Sequence, residues 1–220
     1  MKKIVKKVIK KIIKNSIPNN LMIHRLPRDA ANSILFTFDD GPDEKITPLV
    51  LEYLEEYNVR AIFFIVGRFA LKSPHLLKMI ASKGHCIANH TYEHPNGPFP
   101  DFFSFRNDII KCQKVVTDIL GKEPNFYRPP RGIMSPKTFL TAKSLHLKYI
   151  NWSNEGGEWG SNKSADSSAI ASDLLATLSP RDIVLLHDNN PKVPDVLETI
   201  LPIITKRFDL SNGMTSLLTN

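Results

Sequence analysis

The sequence predicts an α/β fold built from repeated strand–helix units. Three observations carry that expectation. Short apolar runs rich in β-branched or aromatic residues alternate with amphipathic stretches of about 10–18 residues. Several of those stretches open with proline in the first turn, where its missing N–H has no intrahelical partner to lose. The chain of 220 residues is long enough to bury one core, and with two cysteines it has no disulfide framework to replace that core.

The elements follow in order. Residues 1–16, MKKIVKKVIKKIIKNS, alternate pairs of Lys with pairs of Ile or Val, so at 100° per residue one face is basic and the other apolar, which predicts an amphipathic helix. Residues 17–31 contain Pro18, Pro27 and the Asn19–Asn20 pair, which interrupt any helical period, and are expected as a linker. The domain is expected over 32–220. Its apolar runs lie at 33–38, 61–66, 85–88, 125–127, 147–152 and 182–186, with a fainter one at 207–210. Helical patterns fill 47–58, 74–83, 103–120, 136–145, 167–178 and 194–206. Seven strands with crossover helices fit either an α/β barrel or a doubly wound sheet.

Charge is concentrated at one end. Lys and Arg number 29 against 22 Asp and Glu, and seven of the lysines fall within the first fourteen residues, beside no acid. The rest of the chain is formally neutral, which argues against a nucleic-acid-binding face and assigns the basic excess to one segment. A secretory signal needs about 7–15 continuous apolar residues, and the basic segment has none. No stretch approaches the roughly 18–20 apolar residues of a membrane span. Cys86 and Cys112 are expected as reduced, buried thiols. The expected location is therefore cytoplasmic, without a cleavable signal peptide and peripheral at the inner face of the membrane, held to an anionic surface through residues 1–16.

Parallel α/β folds present their chemistry just beyond the carboxyl ends of the strands. Five of the expected strand ends carry acid, imidazole or guanidinium: Asp39 and Asp40; His90 and His94; Arg128; Glu155 and Glu158; His187 and Asp188. In HTYEHP the two histidines are four apart, which on a helical turn puts both imidazoles on one face, suited to two ligands of one metal. Adjacent Asp39 and Asp40 point in different directions at a strand end, so one can bind a cation while the other accepts a proton from water. Two His and one Asp leave coordination positions open, the layout of a catalytic site.

These segments, TFDDGP at 37–42, HTYEHP at 90–95, RPPRG at 128–132, WSNEGGEW at 152–159 and LLHD at 185–188, resemble in order and spacing the motifs of the polysaccharide deacetylases, carbohydrate esterase family 4 or NodB-homology domain. The resemblance spans roughly residues 33–210. It implies an incomplete (β/α)7 barrel that hydrolyses the N-acetyl group of an amino sugar on a divalent metal, usually zinc. It further implies Asp40, His90 and His94 as metal ligands, Asp39 as general base and His187 as general acid, with Arg128 holding Asp39. Trp159 and Leu185 or Leu186 would line the pocket.

Two features depart from the family pattern. Glu155 and Glu158 stand where the fourth motif usually has Asp, and Glu158 is the expected partner that orients His187 or Arg128. Arg131 stands where an aromatic is common, and a guanidinium there suits a phosphate or carboxylate on the substrate. The expected partner is an amino-sugar glycan, as polymer, oligosaccharide or lipid-linked precursor, acted on by a monomer. Two alternatives stay open: a metal-containing glycan-binding barrel without turnover, and a related amidohydrolase acting on a formamide or cyclic imide. A non-haem iron site would leave Arg128, His187 and the second Asp unused, and no GxSxG elbow supports a serine hydrolase.

Overall fold

Each apolar run expected between 33 and 186 contributes a strand, and all the strands lie parallel in one sheet. The structure, a computed structural model, describes residues 21–95, 101–160 and 162–219; the expected helix over 1–16 lies outside the described residues. The strands are β1 (Leu35–Asp39), β2 (Ile62–Ile65), β3 (Cys86–Asn89), β4 (Phe126–Tyr127), β5 (Lys148–Tyr149), β6 (Asn154–Glu155) and β7 (Ile183–His187), in spatial order β5-β4-β3-β2-β1-β7-β6. The sheet curls into a seven-stranded half-barrel, the incomplete barrel that the motifs imply.

The period-two alternation of the strands divides the core. Phe36, Phe38, Phe63, Ile65, Val184 and Leu186 face the outer helices, with the Phe38 and Phe63 rings stacked 4.9 Å apart. Leu35, Ile62, Phe64, Ile183 and Leu185 fill the barrel interior with Trp152 and Phe126. Thr37 and Asp39 share the inner face of β1 with Leu35, so the interior changes from apolar to polar toward the carboxyl ends of the strands. The register pairs Asp39 with His187 across β1 and β7.

The helices are α1 (Ile46–Glu56), α2 (Gly67–Lys72), α3 (Pro74–Ser82), α4 (Phe102–Leu120), α5 (Pro136–Ser144), α6 (Ser167–Thr177), α7 (Val193–Ile204) and α8 (Asn212–Thr219). Local chemistry sets their ends. Asp101 accepts from Ser104 N at 2.8 Å to open α4, and Gly121, left-handed at φ 70°, closes it. Ser135 and Thr138 form a capping box on α5, and Asp166 accepts from Ala169 N to open α6.

Three expectations are corrected. The run at 207–210 forms no strand: Phe208 and Leu210 are buried, but only Ser33 and Asp209 make an isolated bridge. The seventh strand is instead the polar pair Asn154–Glu155, pairing with Val184 and Leu185. Nor is the described part of 17–31 a free linker. Met22, His24 and Leu26 are buried with period two, and the segment fills a seam between edge strand β5 and the start of β7: Ile23 N donates to Tyr149 O (2.9 Å), Asn151 N to Ile23 O (2.7 Å) and Leu26 N to Arg181 O (2.9 Å). The short helices α2 and α8 were not expected from the pattern. No helix among the described residues is long and apolar enough to cross a membrane.

Candidate active site

At the carboxyl ends of the strands, β1 ends in Asp39 and turns sharply. Asp40 is left-handed at φ 73°, and a cis peptide joins Gly41 to Pro42. Gly41 is needed for space, because a Cβ there would collide with the carboxylate of Asp188. Asp188 is fully buried, and its Oδ2 accepts from Thr47 Oγ1 at 2.6 Å. Burial pushes the Asp188 carboxyl up to about 7.

His90 follows β3, and His94 comes four residues later, but not on the helical turn that the spacing predicts. Thr91 and His94 have φ of 69° and 47°, so the imidazoles meet across an irregular loop, ring centroids 5.0 Å apart. The loop is held from several sides. Asn89 Oδ1 accepts from Thr91 N (2.8 Å), Thr91 Oγ1 accepts from His94 N (3.2 Å), and Asp108 Oδ2 on α4 accepts from Tyr92 N and Glu93 N (2.8 and 3.2 Å). The amino end of α2 donates to the loop carbonyls through Gly67 N to Thr91 O and Arg68 N to Tyr92 O (3.0 and 3.1 Å). Asn89 and Asp108 were not singled out from the sequence. Asp108 does carry a signal there: it is an acid on the apolar stripe formed by Phe105, Ile109, Cys112 and Val116.

Asp40, His90 and His94 converge, each offering one ligand atom within 4.8 Å of the others. Asp40 Oδ1 lies 3.4 Å from His90 Nε2 and 3.1 Å from His94 Nε2, and it is buried with no hydrogen-bond partner. His90 Nδ1 sits 2.8 Å from the Arg128 carbonyl, which can only accept, so Nδ1 donates there and Nε2 faces the cluster. Burial opposes charge on Asp40, but His90, His94 and His187 outweigh it and hold the carboxyl well below its usual range. Burial and the neighbouring His90 push His94 down. A carboxylate oxygen without a hydrogen-bond partner, beside two imidazole nitrogens, fits a divalent cation.

Asp39 uses its two oxygens differently. Oδ1 accepts from Arg128 Nη1 at 2.6 Å, while Oδ2 faces the cluster, 3.6 Å from His90 Nε2. Arg128 is fully buried, with Phe64 against its guanidinium at 4.0 Å. Its other bonds go to Thr37 Oγ1 (2.9 Å), Ile150 O (3.2 Å) and Asn151 O (3.1 Å). Burial lowers its pKa and the charge of Asp39 opposes that shift.

His187 lies across from Asp39, with Nδ1 2.9 Å from Glu158 Oε1. Burial works against its charge, but the hydrogen bond and charge of Glu158, aided by Asp39 and Asp40, lift the imidazole to about 9. Glu155 points elsewhere and accepts from Trp152 Nε1 at 2.9 Å. The pocket residues separate by the pleat. Leu185 shares the inner face with His187, whereas Leu186 is fully buried toward the helices and cannot line an open pocket. Trp159 is 47% exposed, its Nε1 donating to Asn189 Oδ1 at 3.2 Å. Arg131 is exposed beside the histidine loop, donating to Pro95 O at 3.4 Å. Residues 96–100 of the neighbouring loop and Ser161 lie outside the described residues.

Comparison with known proteins is consistent with this geometry. The polysaccharide deacetylase family model matches residues 27–150. A peptidoglycan-N-acetylglucosamine deacetylase of Bacillus cereus is 36% identical over 154 residues, 70% of this chain, which spans 55% of that relative's length. A chitooligosaccharide deacetylase of Azorhizobium caulinodans is 32% identical over 161 residues, 73% of this chain and 75% of its own. A solved peptidoglycan N-acetylglucosamine deacetylase superposes with a TM-score of 0.80 at 31% identity, covering 89% of this chain and 92% of that one. The chain belongs to the polysaccharide deacetylase family, carbohydrate esterase family 4, with the NodB-homology domain.

Proposed function

We propose that this protein is a metal-dependent hydrolase that removes the N-acetyl group of an amino sugar in a glycan and releases acetate. The observation that carries the reading is the divided carboxylate of Asp39. One oxygen is fixed by Arg128, and the other is aimed at the Asp40–His90–His94 cluster, opposite His187. The relatives named above deacetylate N-acetylglucosamine in peptidoglycan and chito-oligosaccharides, which makes those two glycans the first substrates to test.

The chain's own residues divide the work. Asp40, His90 and His94 hold the cation, which we take to be zinc, and when bound it supplies Lewis acidity to the amide carbonyl. Asp39 Oδ2 takes the proton of the attacking water. His187, kept protonated by Glu158, gives a proton to the departing amine. Arg128 keeps Asp39 in place, Leu185 walls the acetyl methyl, and Trp159 offers a ring face to the sugar. Arg131, at the rim, selects an anionic group on the substrate. Because Glu158 reaches His187 at 2.9 Å, the longer side chain keeps the contact, which favours an active enzyme over a binding barrel without turnover.

Acetate should be released from chito-oligosaccharide or peptidoglycan fragments by zinc-loaded protein, and chelation should abolish the release. Stoichiometric metal without acetate would overturn the reading, and formate from a formamide in its place would reassign the substrate. Glu158→Gln tests the acid. A general acid works only while protonated, so activity falls as pH rises through the pKa of His187, which is about 9 with Glu158 charged. Removing that charge lowers the pKa, and the alkaline limb of kcat/KM should move to lower pH. An unmoved limb would remove His187 from the role.

A further inference from the structure

The seam that residues 22–26 fill leaves an apolar groove on the outside of the barrel. Leu21 and Ile23 form one wall, Phe139 and Leu140 of α5 another, and Leu217 of α8 contributes from the C-terminal side. Leu21 is 52% and Leu140 60% exposed, although each sits beside well-packed neighbours. The groove also has a sign. Arg25, Lys143, His146 and Lys148 line it, and among the described residues no acid does. Arg25 is engaged by Asp182, but Lys143 and Lys148 have no carboxylate partner among the described residues. Leu21 directly follows the twenty residues that hold seven lysines and an Ile/Val repeat.

Exposed leucines framed by unpaired lysines, continuous in sequence with a basic amphipathic segment, match an anionic amphiphilic surface. We propose that the seam groove and its lysine rim are the face by which the barrel docks on an anionic phospholipid bilayer. Leu21 and Leu140 enter the headgroup region there, and Lys143 and Lys148 meet lipid phosphates. Charge selects this occupant over the chain's own first twenty residues, whose lysines would be brought against Arg25, Lys143 and Lys148. The site at the strand ends takes no part in docking.

The test uses the full chain with vesicles of phosphatidylcholine alone or mixed with phosphatidylglycerol. Co-sedimentation is expected only with the mixed vesicles and should weaken with salt. A lysine near such a surface contributes about fivefold in partitioning, so Lys143→Glu with Lys148→Glu should weaken binding at least about tenfold. Amide exchange over 139–149 should slow on vesicles, while exchange over 46–56 stays unchanged. Equal partitioning of the double variant overturns the proposal, as does binding with unprotected 139–149, which would leave residues 1–16 as the whole anchor. It is likewise overturned if 139–149 are protected without vesicles and exposed by deleting residues 1–20, because the groove would then be filled by the chain itself. The variants should release acetate from a soluble chito-oligosaccharide at the wild-type rate, so failure of docking is separable from failure of the deacetylase reading.

Discussion

Asp39→Asn is expected to lower acetate release by about 10²–10⁴-fold, the range of a lost general base, while metal content stays at the wild-type level. The substitution keeps shape and keeps an oxygen for the Arg128 N–H that now donates to Oδ1 at 2.6 Å, so the fold should survive. It removes only the basicity of the oxygen facing the cluster, 3.6 Å from His90 Nε2. Turnover and metal analysis on the same preparation decide the matter. A variant that stays within a few-fold of wild type would show that the proton goes elsewhere, and loss of metal with activity would place Asp39 among the ligands.

Arg128→Met should cost about 3–5 kcal/mol of stability, because it leaves the Asp39 carboxylate buried without its counter-charge. Thr37 Oγ1 and the carbonyls of Ile150 and Asn151 lose their donor in the same step. Urea unfolding measures the loss. Adding Asp39→Asn to the Arg128→Met protein should recover part of it, since the stranded charge is gone. If Arg128→Met unfolds within about 1 kcal/mol of wild type, the guanidinium is not balancing Asp39.

Most of the architecture was legible because six strands fall within apolar runs, most of them covered on both faces, and such runs stand out against amphipathic helices. What escaped did so for physical reasons. Asn154–Glu155 is an edge strand of two polar residues, specified by its ladder with β7 rather than by burial. Phe208 and Leu210 carry the apolar signal without the ladder, so they look like a strand and pack as a turn. In the seam, the alternation of Met22, His24 and Leu26 was present in the sequence, but the flanking prolines and asparagines obscured it. At the site, residue types at strand ends located the groups, and the register of β1 against β7 brings Asp39 and His187 together. In the histidine loop a spacing of four predicts a helical turn, but it is also met by a chain with two left-handed residues, which no spacing rule anticipates.

That loop also bears on how the metal centre can be moved between scaffolds. Left-handed backbone at a β-branched residue such as Thr91 costs on the order of 1–3 kcal/mol, so HTYEHP has no reason to hold this shape by itself. It is held by Asn89 from the preceding strand, Asp108 from a helix some fifteen residues later, and the first amides of α2 from the preceding strand–helix unit. A graft of the six-residue motif alone should therefore yield two histidines that seldom face each other. The smallest transplantable centre is four pieces of chain that must arrive together, once the β1 turn bearing Asp40 is counted.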